Sequence, residues 1–129
     1  MNKKILIVLA NYYKDISDGL LKSALKNLPR SCHVKIIRVP GVFEIPVTIS
    51  KNLKKFDAFL ALGCVIKGQT PHFDFISQAS TNAIMDISVS QKKPVGNGII
   101  TCLNMKQAKA RKSKGAEAAN AVFSVLSQK

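Results

Sequence analysis

A short, uninterrupted apolar run at residues 5–10, Ile-Leu-Ile-Val-Leu-Ala, restricts the fold of this chain more than any other feature. Successive side chains of a strand point to opposite faces of the sheet, so a strand made only of apolar residues must be covered on both faces. Strands of this kind belong to parallel sheets with helices on either side. The run therefore predicts a buried strand of an α/β protein.

The residues that follow alternate between helical and strand patterns. Apolar residues first recur at helical spacing, at Ile16, Leu20, Leu21, Ala24 and Leu28. Further strands are predicted at residues 33–39, at residues 56–62 and from residue 94 to about residue 103. A short helix opened by Pro46 is predicted at residues 46–53. The helix before the fourth strand has an apolar face formed by Ile76, Ala79, Ala83 and Ile87.

Two more helices are predicted after the fourth strand. Asn104 has a side chain that can cap the first of them, which carries Gln107 and Arg111. Gly115 separates it from a final helix whose apolar face is formed by Ala118, Val122 and Val125. Four βα units in 129 residues and 14.0 kDa predict one α/β domain, residues 1–129. Its expected architecture is a flavodoxin-like three-layer sandwich around a four-stranded parallel sheet.

Composition excludes several classes of protein. No apolar stretch approaches the length needed to cross a bilayer, and residues 5–10 are too short for the core of a signal peptide. We therefore expect a cytoplasmic protein without membrane contacts. The three cysteines, Cys32, Cys64 and Cys102, leave one unpaired and have no metal-ligand spacing, so reduced thiols and no metal are expected.

The formal charge of +13 is the one unusual compositional feature. Lysines are spread along the chain, and the only dense basic patch consists of Lys106, Lys109, Lys112 and Lys114. Nucleic-acid surfaces more often cluster basic residues and interleave aromatic ones. The pattern favours a solvated basic surface that attracts anionic substrates, with no nucleic-acid partner. A basic RNA-binding module remains the less favoured alternative.

The segment from residue 63 to residue 75 passes from an apolar strand through a polar loop to a helix start. Thr70 is a natural N-cap residue, Pro71 suits the first helical position, and Asp74 falls in the first turn. The exposed N–H groups, the Gln69 amide and the Thr70 hydroxyl would hold a phosphate, and His72 is close enough to exchange a proton. An ordinary βα turn with a surface histidine is the alternative.

Other polar segments follow the first and second strands, and in a parallel sheet ligands bind beyond these carboxyl ends. They are Asn11-Tyr12-Tyr13 and Val42-Phe43-Glu44. Asn97 instead lies near the amino end of the fourth strand, and Arg111 lies a helix further on. A neighbouring subunit could bring these two residues to the same crevice.

Taken in order along the chain, five segments between Ile5 and Val125 resemble the lumazine synthase family. They are Pro40-Gly41-Val42-Phe43-Glu44-Ile45-Pro46, the loop with His72, Asn97-Gly98-Ile99-Ile100-Thr101, Gln107-Ala108 and Arg111. The resemblance implies a transferase that condenses 5-amino-6-(D-ribitylamino)uracil with 3,4-dihydroxy-2-butanone 4-phosphate. The product is 6,7-dimethyl-8-ribityllumazine, the riboflavin precursor, and phosphate and water are released without a cofactor or metal.

The resemblance also implies roles for individual residues. His72 matches the histidine that transfers protons. Residues matching those that contact the pyrimidine and its ribityl chain are Tyr12, Val42, Phe43, Glu44, Cys64, Val65, Ile66 and Asn97. Those matching the phosphate contacts are Gln69, Thr70, Arg111 and Lys114. Two features depart from the family: Asn97 replaces an aromatic residue found in many members, and the connection from Arg111 to Gly115 is shorter than usual.

Family membership further implies a homo-oligomer with its sites between subunits. We expect a cyclic homopentamer rather than an icosahedral shell, because the chain begins only four residues before the first predicted strand and so lacks the longer pairing arm of some members. A lumazine- or flavin-binding relative without turnover is the alternative within this family.

Overall fold

A four-stranded parallel sheet organises the structure, a computed structural model that describes residues 2–128. Its strands are β1 (Lys4–Ala10), β2 (His33–Val39), β3 (Ala58–Ile66) and β4 (Val95–Cys102). They lie in the order β2-β1-β3-β4, with every pair parallel. This is the flavodoxin-like order, in which the chain reverses its direction of winding after β2. The predicted parallel α/β architecture is confirmed.

Helices cover both faces of the sheet. They are α1 (Lys14–Lys26), α2 (Ile45–Lys51), α3 (His72–Gln91), α4 (Met105–Ala110) and α5 (Lys114–Leu126), and a 3-10 turn, Val42–Glu44, precedes α2. One buried cluster joins the sheet to α1 and α5, and a second joins it to α2 and α3. None of the helices within the described residues is long and apolar enough to cross a membrane.

Strand β1 is the centre of the core, as its apolar run predicts. Every side chain from residue 5 to residue 9 is fully buried, and β1 pairs with β2 on one side and β3 on the other. Its side chains alternate between the two clusters: Ile5, Ile7 and Leu9 face α1 and α5, whereas Leu6 and Val8 face α2 and α3. The period of two thus builds both cores from one strand.

The third strand is longer than predicted and begins later. It was expected at residues 56–62, but β3 continues through Ile66, which pairs with Cys102 of β4. The Lys67 N–H then donates to the Cys102 carbonyl oxygen at 2.9 Å, so the ladder extends past the strand. Cys64, Val65 and Ile66 therefore belong to the strand and not to the loop. Pairing with β4 supplies the backbone hydrogen bonds that decide this boundary.

Two helical predictions need correction. The predicted apolar face of α3 included Ala79, which is exposed; the buried positions are Ser80 and Ile84, with Ile76 and Ile87 partly buried beside them. Helix α2 ends at residue 51 and not at the predicted residue 53. Helical structure also begins earlier than predicted, with the 3-10 turn before α2. Both differences come from packing against the sheet, which sets the helix face and its ends.

Gly115 was predicted to separate the last two helices, but it lies in the first turn of α5. The break is the turn at residues 111–113. A Cβ atom at Gly115 would overlap the Leu20 carbonyl oxygen of α1. Glycine is needed here because α1 and α5 approach each other closely, and not because the chain ends a helix.

Candidate functional site

A crevice of about 570 Å³ opens at the carboxyl ends of β1 and β3. The residues lining it are Tyr12, Tyr13, Gly41, Val42, Phe43, Glu44, Cys64, Val65, Ile66, His72 and Ile76. It therefore brings together His72 and every residue predicted to contact the pyrimidine and ribityl chain except Asn97. Binding beyond the carboxyl ends is the arrangement expected for a flavodoxin-like sheet.

Two aromatic side chains in this crevice are exposed although they are large and apolar. Tyr12 is 76% exposed and Phe43 is 62% exposed. Tyr12 meets Tyr13 edge to face, with ring centroids 4.9 Å apart, so one neighbour supports the ring while a ring face stays accessible. Exposed aromatic faces in a concave site are suited to a flat heterocycle.

The segment that carries Phe43 is held in place by its own hydrogen bonds. The Gly41 N–H donates to Glu44 Oε1 at 3.0 Å, which closes the 3-10 turn. Thr48 Oγ1 then donates to the Glu44 carbonyl oxygen at 2.8 Å and links the turn to α2. Gly63 of β3 has no Cβ, and one placed there would contact Val42 at 2.8 Å. The segment can therefore lie directly against the strand.

Cys64 forms part of the crevice wall from β3 but is not suited to nucleophilic chemistry. Its side chain is buried, and burial raises the pKa of the thiol to about 12, with the nearby Cys102 thiol and the hydrogen bond between the two as further causes. A thiol with this pKa is protonated at neutral pH, whereas the thiolate is the nucleophile. Cys64 therefore supplies shape rather than reactivity.

His72 lies at the start of α3 and lines the crevice. The helix begins one residue later than predicted: Pro71 occupies the N-cap position and Thr70 precedes it. Thr70 Oγ1 still accepts from the His72 N–H, at a long 3.4 Å. Proline cannot donate a backbone hydrogen bond, so the first available N–H is that of His72.

Gln69 and Thr70 are exposed in the loop between β3 and α3, and neither lines the crevice. These two residues, which were predicted to contact the phosphate, therefore do not form part of the cavity wall. The loop nonetheless leads into the amino end of α3, where unpaired N–H groups and the helix dipole favour an anion.

A second cavity, of about 590 Å³, lies along β4. Its lining residues are Asn97, Ile99, Ile100, Thr101, Ala110, Arg111, Ser113, Lys114 and Glu117. The structure thus groups Asn97, Arg111 and Lys114, the three predicted site residues that come from the last part of the chain. Arg111 Nη1 donates to the Thr101 carbonyl oxygen at 3.3 Å. Lys114 Nζ lies 3.7 Å from Glu117 Oε1.

Asn97 is turned toward its own strand. Its Oδ1 accepts from the Ile99 N–H at 3.1 Å. Because β4 is the last strand of the sheet, this N–H lies on the edge without a neighbouring strand, where an unpaired donor would invite strand addition. The Asn97 side chain satisfies that donor and leaves its amide NH₂ for other contacts.

The two cavities are separate within one chain, since no described residue lines both. The predicted site residues therefore divide into a crevice set around His72 and an edge set around Arg111. The sequence also predicted that Asn97 and Arg111 lie away from the crevice, because Asn97 is near the amino end of its strand and Arg111 lies a helix further on.

Tyr13 and Ile76 line the crevice but were not assigned individual roles from the sequence, although Tyr13 lies in the predicted binding segment at residues 11–13. Tyr13 supports Tyr12, and burial raises its pKa, with Tyr12 and Cys64 as further causes. Ile76 was assigned to the core face of α3, and it lies one turn after His72 at the crevice. Helical spacing from His72 was the signal that could have identified it. Within residues 2–128 no cluster of three His, Cys, Asp or Glu side chains is placed to bind a metal ion.

The fold and the crevice define a parallel α/β protein with a concave site, lined in part by exposed aromatic rings, beyond its strand ends. The family model described as 6,7-dimethyl-8-ribityllumazine synthase matches residues 2–129. The chain therefore belongs to the 6,7-dimethyl-8-ribityllumazine synthase family, whose members are transferases of riboflavin biosynthesis.

Similar proteins with this name cover almost the whole chain. The protein from Bartonella bacilliformis is 42% identical over 100% of this chain and 91% of its own length. The protein from Agrobacterium fabrum is 41% identical over 97% and 93%, respectively. The protein from Cutibacterium acnes is 42% identical over 95% and 80%. The family resemblance inferred from the ordered motifs is confirmed.

Proposed function

We propose that this chain condenses 5-amino-6-(D-ribitylamino)uracil with 3,4-dihydroxy-2-butanone 4-phosphate to form 6,7-dimethyl-8-ribityllumazine. The observation that carries the proposal is the grouping of His72 with the exposed aromatic rings of Tyr12 and Phe43 in one crevice. Family membership supplies the reaction, and the crevice supplies a surface for the flat pyrimidine.

The pyrimidine substrate stacks on the exposed Tyr12 ring in this proposal. The segment at residues 42–44 contacts its ribityl chain, because the Gly41–Glu44 hydrogen bond fixes that segment beside the crevice. Cys64, Val65 and Ile66 lie at the end of β3 and contact the uracil largely through backbone groups. Asn97 contributes its amide NH₂ from the second cavity, in place of an aromatic ring.

The phosphate of the second substrate is bound by Gln69 and Thr70 on one side and by Arg111 on the other. Arg111 uses one N–H to contact the Thr101 carbonyl oxygen. A guanidinium carries five N–H donors, so four remain, and its planar fork matches a phosphate dianion. Lys114 adds positive charge, although its contact with Glu117 reduces its availability.

His72 transfers protons during the condensation. The pyrimidine amine attacks the ketone carbonyl, the carbinolamine loses water to give an imine, phosphate leaves, and ring closure releases a second water. Imine formation and ring closure move protons between nitrogen and oxygen, and loss of phosphate removes a proton from the carbon next to the imine. A neutral imidazole can accept such a proton and return it. Holding the two substrates together contributes the larger part of the rate, since amines and ketones condense readily once placed side by side.

The complete site lies between two subunits of a homo-oligomer in this proposal. The crevice residues and the edge residues line different cavities, and β4 is an edge strand that a neighbouring molecule can approach. A neighbour that places its Arg111 and Asn97 against the His72 crevice completes one site at each interface. A head-to-tail contact of this type forms a closed ring.

Helix α3 has the surface that such a ring needs. The 20 lysines and arginines repel each other between copies of a +13 chain, yet residues 68–91 contain none of them. Three large apolar side chains of this helix are exposed: Phe75 (66%), Met85 (60%) and Val89 (68%). A partly apolar helix without lysine or arginine supports self-association through α3, and we propose a cytoplasmic homopentamer.

The decisive experiment is an absorbance assay with both substrates. We expect the purified protein to form the lumazine chromophore. A variant carrying both His72→Ala and Arg111→Ala should not form it. Binding of the pyrimidine without product, under conditions where a known member of the family turns over, would instead establish a binding protein without turnover.

A further inference from the structure

One serine of α1 joins the helix to the turn at residues 111–113. Ser23 Oγ lies 2.8 Å from the Lys112 carbonyl oxygen and 3.0 Å from that of Leu20. The same oxygen accepts from the Ala116 N–H at 3.1 Å. A single half-buried hydroxyl of α1 therefore contacts the backbone within the turn, at Lys112, and just after it, at Ala116.

The backbone hydrogen bonds of this turn are local. Arg111 N–H donates to the Ala108 carbonyl oxygen, and Lys114 N–H donates to the Arg111 carbonyl oxygen. Packing adds two contacts with α1: the Lys112 stem lies over Gly19, where an added Cβ would meet Lys112 Cδ at 2.5 Å, and Gly115 lies against Leu20. Ser23 thus supplies the side-chain hydrogen bonds that fix the turn on α1.

The turn matters because the proposed phosphate residues flank it. Arg111 begins the turn and Lys114 follows it, and both line the second cavity. The guanidinium makes one long contact, 3.3 Å, with the Thr101 carbonyl oxygen, so its position depends mainly on the backbone that carries it. A displacement of about 1 Å is sufficient to weaken a bidentate contact with phosphate.

We propose that Ser23 is a positioning residue for phosphate binding, which it supports by holding the 111–116 backbone so that Arg111 points into the second cavity. This inference rests on the phosphate role of Arg111 given above. Ser23 itself does not line that cavity, so it acts through the turn and not by touching the substrate.

Three variants of the full-length assembled protein test this role. Ser23→Ala removes the hydroxyl but keeps a good helix former in α1. Ser23→Thr retains a hydroxyl. Ser124→Ala is the matched control, because Ser124 is an exposed helical serine near the end of α5 that lines neither cavity. The measurements are hydrogen exchange of the 111–116 amides, the KM for each substrate and the Kd for inorganic phosphate.

Ser23→Ala is expected to speed exchange across the 111–116 amides, although the Ala116 N–H keeps its bond to the Ser113 carbonyl oxygen. It should also raise the KM for the butanone phosphate by roughly fivefold, the effect of one hydrogen bond. The Kd for inorganic phosphate should rise by the same factor, while the KM for the pyrimidine stays within about twofold. Ser23→Thr should retain most of the wild-type phosphate affinity, and Ser124→Ala should match the wild type throughout.

Two results would overturn the proposal. Faster exchange with unchanged phosphate affinity would mean that Ser23 stabilises the turn without positioning Arg111. Unchanged exchange would mean that the hydroxyl does not hold the turn. Phosphate titration needs no turnover, so absence of lumazine formation by the wild-type protein would refute the proposed reaction while the titration still decides the role of Ser23.

Discussion

Among single residues, Arg111 has a side chain whose donors divide between a backbone contact and the second cavity. One N–H of its guanidinium holds the Thr101 carbonyl oxygen, and the remaining donors face the cavity that it shares with Lys114. Charge-assisted hydrogen bonds to a dianion are stronger than those between neutral groups. Loss of this side chain should therefore affect the phosphate-bearing substrate specifically.

Arg111→Ala should raise the KM for the butanone phosphate by roughly 30–150-fold, which corresponds to ~2–3 kcal/mol, and should change the KM for the pyrimidine far less. Steady-state kinetics with each substrate varied in turn measures both constants. Arg30→Ala, which removes an exposed positive charge after α1, is the control. Equal increases for the two substrates would contradict the phosphate role.

The Cys64 thiol predicts a pH dependence of stability. Its pKa is raised from 9.0 to about 12 in the folded chain, mainly by burial, so the folded protein keeps a proton that the unfolded chain loses between these values. The stabilisation is complete below pH 9 and is lost as pH rises toward 12. The free energy of unfolding should therefore fall by up to roughly 1.4 kcal/mol per pH unit from this group.

Denaturant unfolding from about pH 8 to about pH 10.5 covers the lower half of that window and measures this slope. Cys64→Ala should show a shallower fall than the wild type, whereas Cys32→Ala, which changes a cysteine outside the crevice, should not. The same slope in the wild type and in Cys64→Ala would show that Cys64 does not cause the alkaline loss of stability.

Among the elements, α4 is the one whose start depends on a reciprocal pair of side chains. Asn104 Oδ1 accepts from the Gln107 N–H at 2.9 Å, and Gln107 Oε1 accepts from the Leu103 N–H at 2.8 Å. The helix has only six residues, so these caps supply a large share of its stability. The cap predicted from the sequence at Asn104 is confirmed.

Asn104→Ala should lower the free energy of unfolding by about 1 kcal/mol, the usual cost of losing an N-cap side chain. Asn120→Ala, an exposed change in the middle of α5, should be neutral or slightly stabilising because alanine favours helix. Denaturant unfolding at a fixed protein concentration compares the two. A neutral Asn104→Ala would mean that Gln107 alone holds the start of α4.

Helix α3 makes a second prediction for an element. Its exposed side carries Met85 in a region without basic residues, and the proposed ring buries this helix. Met85→Lys should dissociate the assembly, because each copy would bring a new positive charge into the contact. Sedimentation velocity measures the change. Leu25→Lys, a similar change on α1, should leave the particle intact; dissociation by Leu25→Lys alone would place the interface on α1.

For the whole molecule, the separation of the two cavities predicts complementation between subunits. Chains with His72→Ala and chains with Arg111→Ala should each be impaired, and activity should return when they assemble together. In a random equal mixture roughly a quarter of the interfaces in a head-to-tail ring combine an intact His72 with an intact Arg111.

The two variants are assembled together from denaturant, and native mass spectrometry shows that they mix. The lumazine assay of the mixed particles then tests this arrangement. Re-formed particles of each variant alone are the controls. Activity no greater than the average of the two variants, in particles that contain both chains, would mean that each chain builds its own site.

Much of this fold could be read from local patterns. The apolar run of β1 predicted a strand buried on both faces, and the strand at residues 33–39 has the predicted limits. The crevice residues were also within reach, since parallel strands bring Tyr12, Phe43 and Cys64 to the same edge. Patterns of this kind report which faces are covered, and covered faces follow from hydrophobic burial alone.

Family membership was likewise fixed by the sequence, because the ordered motifs around Glu44, His72 and Arg111 identify it without coordinates. Only the tertiary structure decided how far β3 extends, why Gly115 is a glycine and that Arg111 shares a cavity with Asn97 and Lys114. These features depend on pairing with β4 and on the close approach of α1 and α5. Distances between segments far apart in the chain are set by packing, which no local periodicity records.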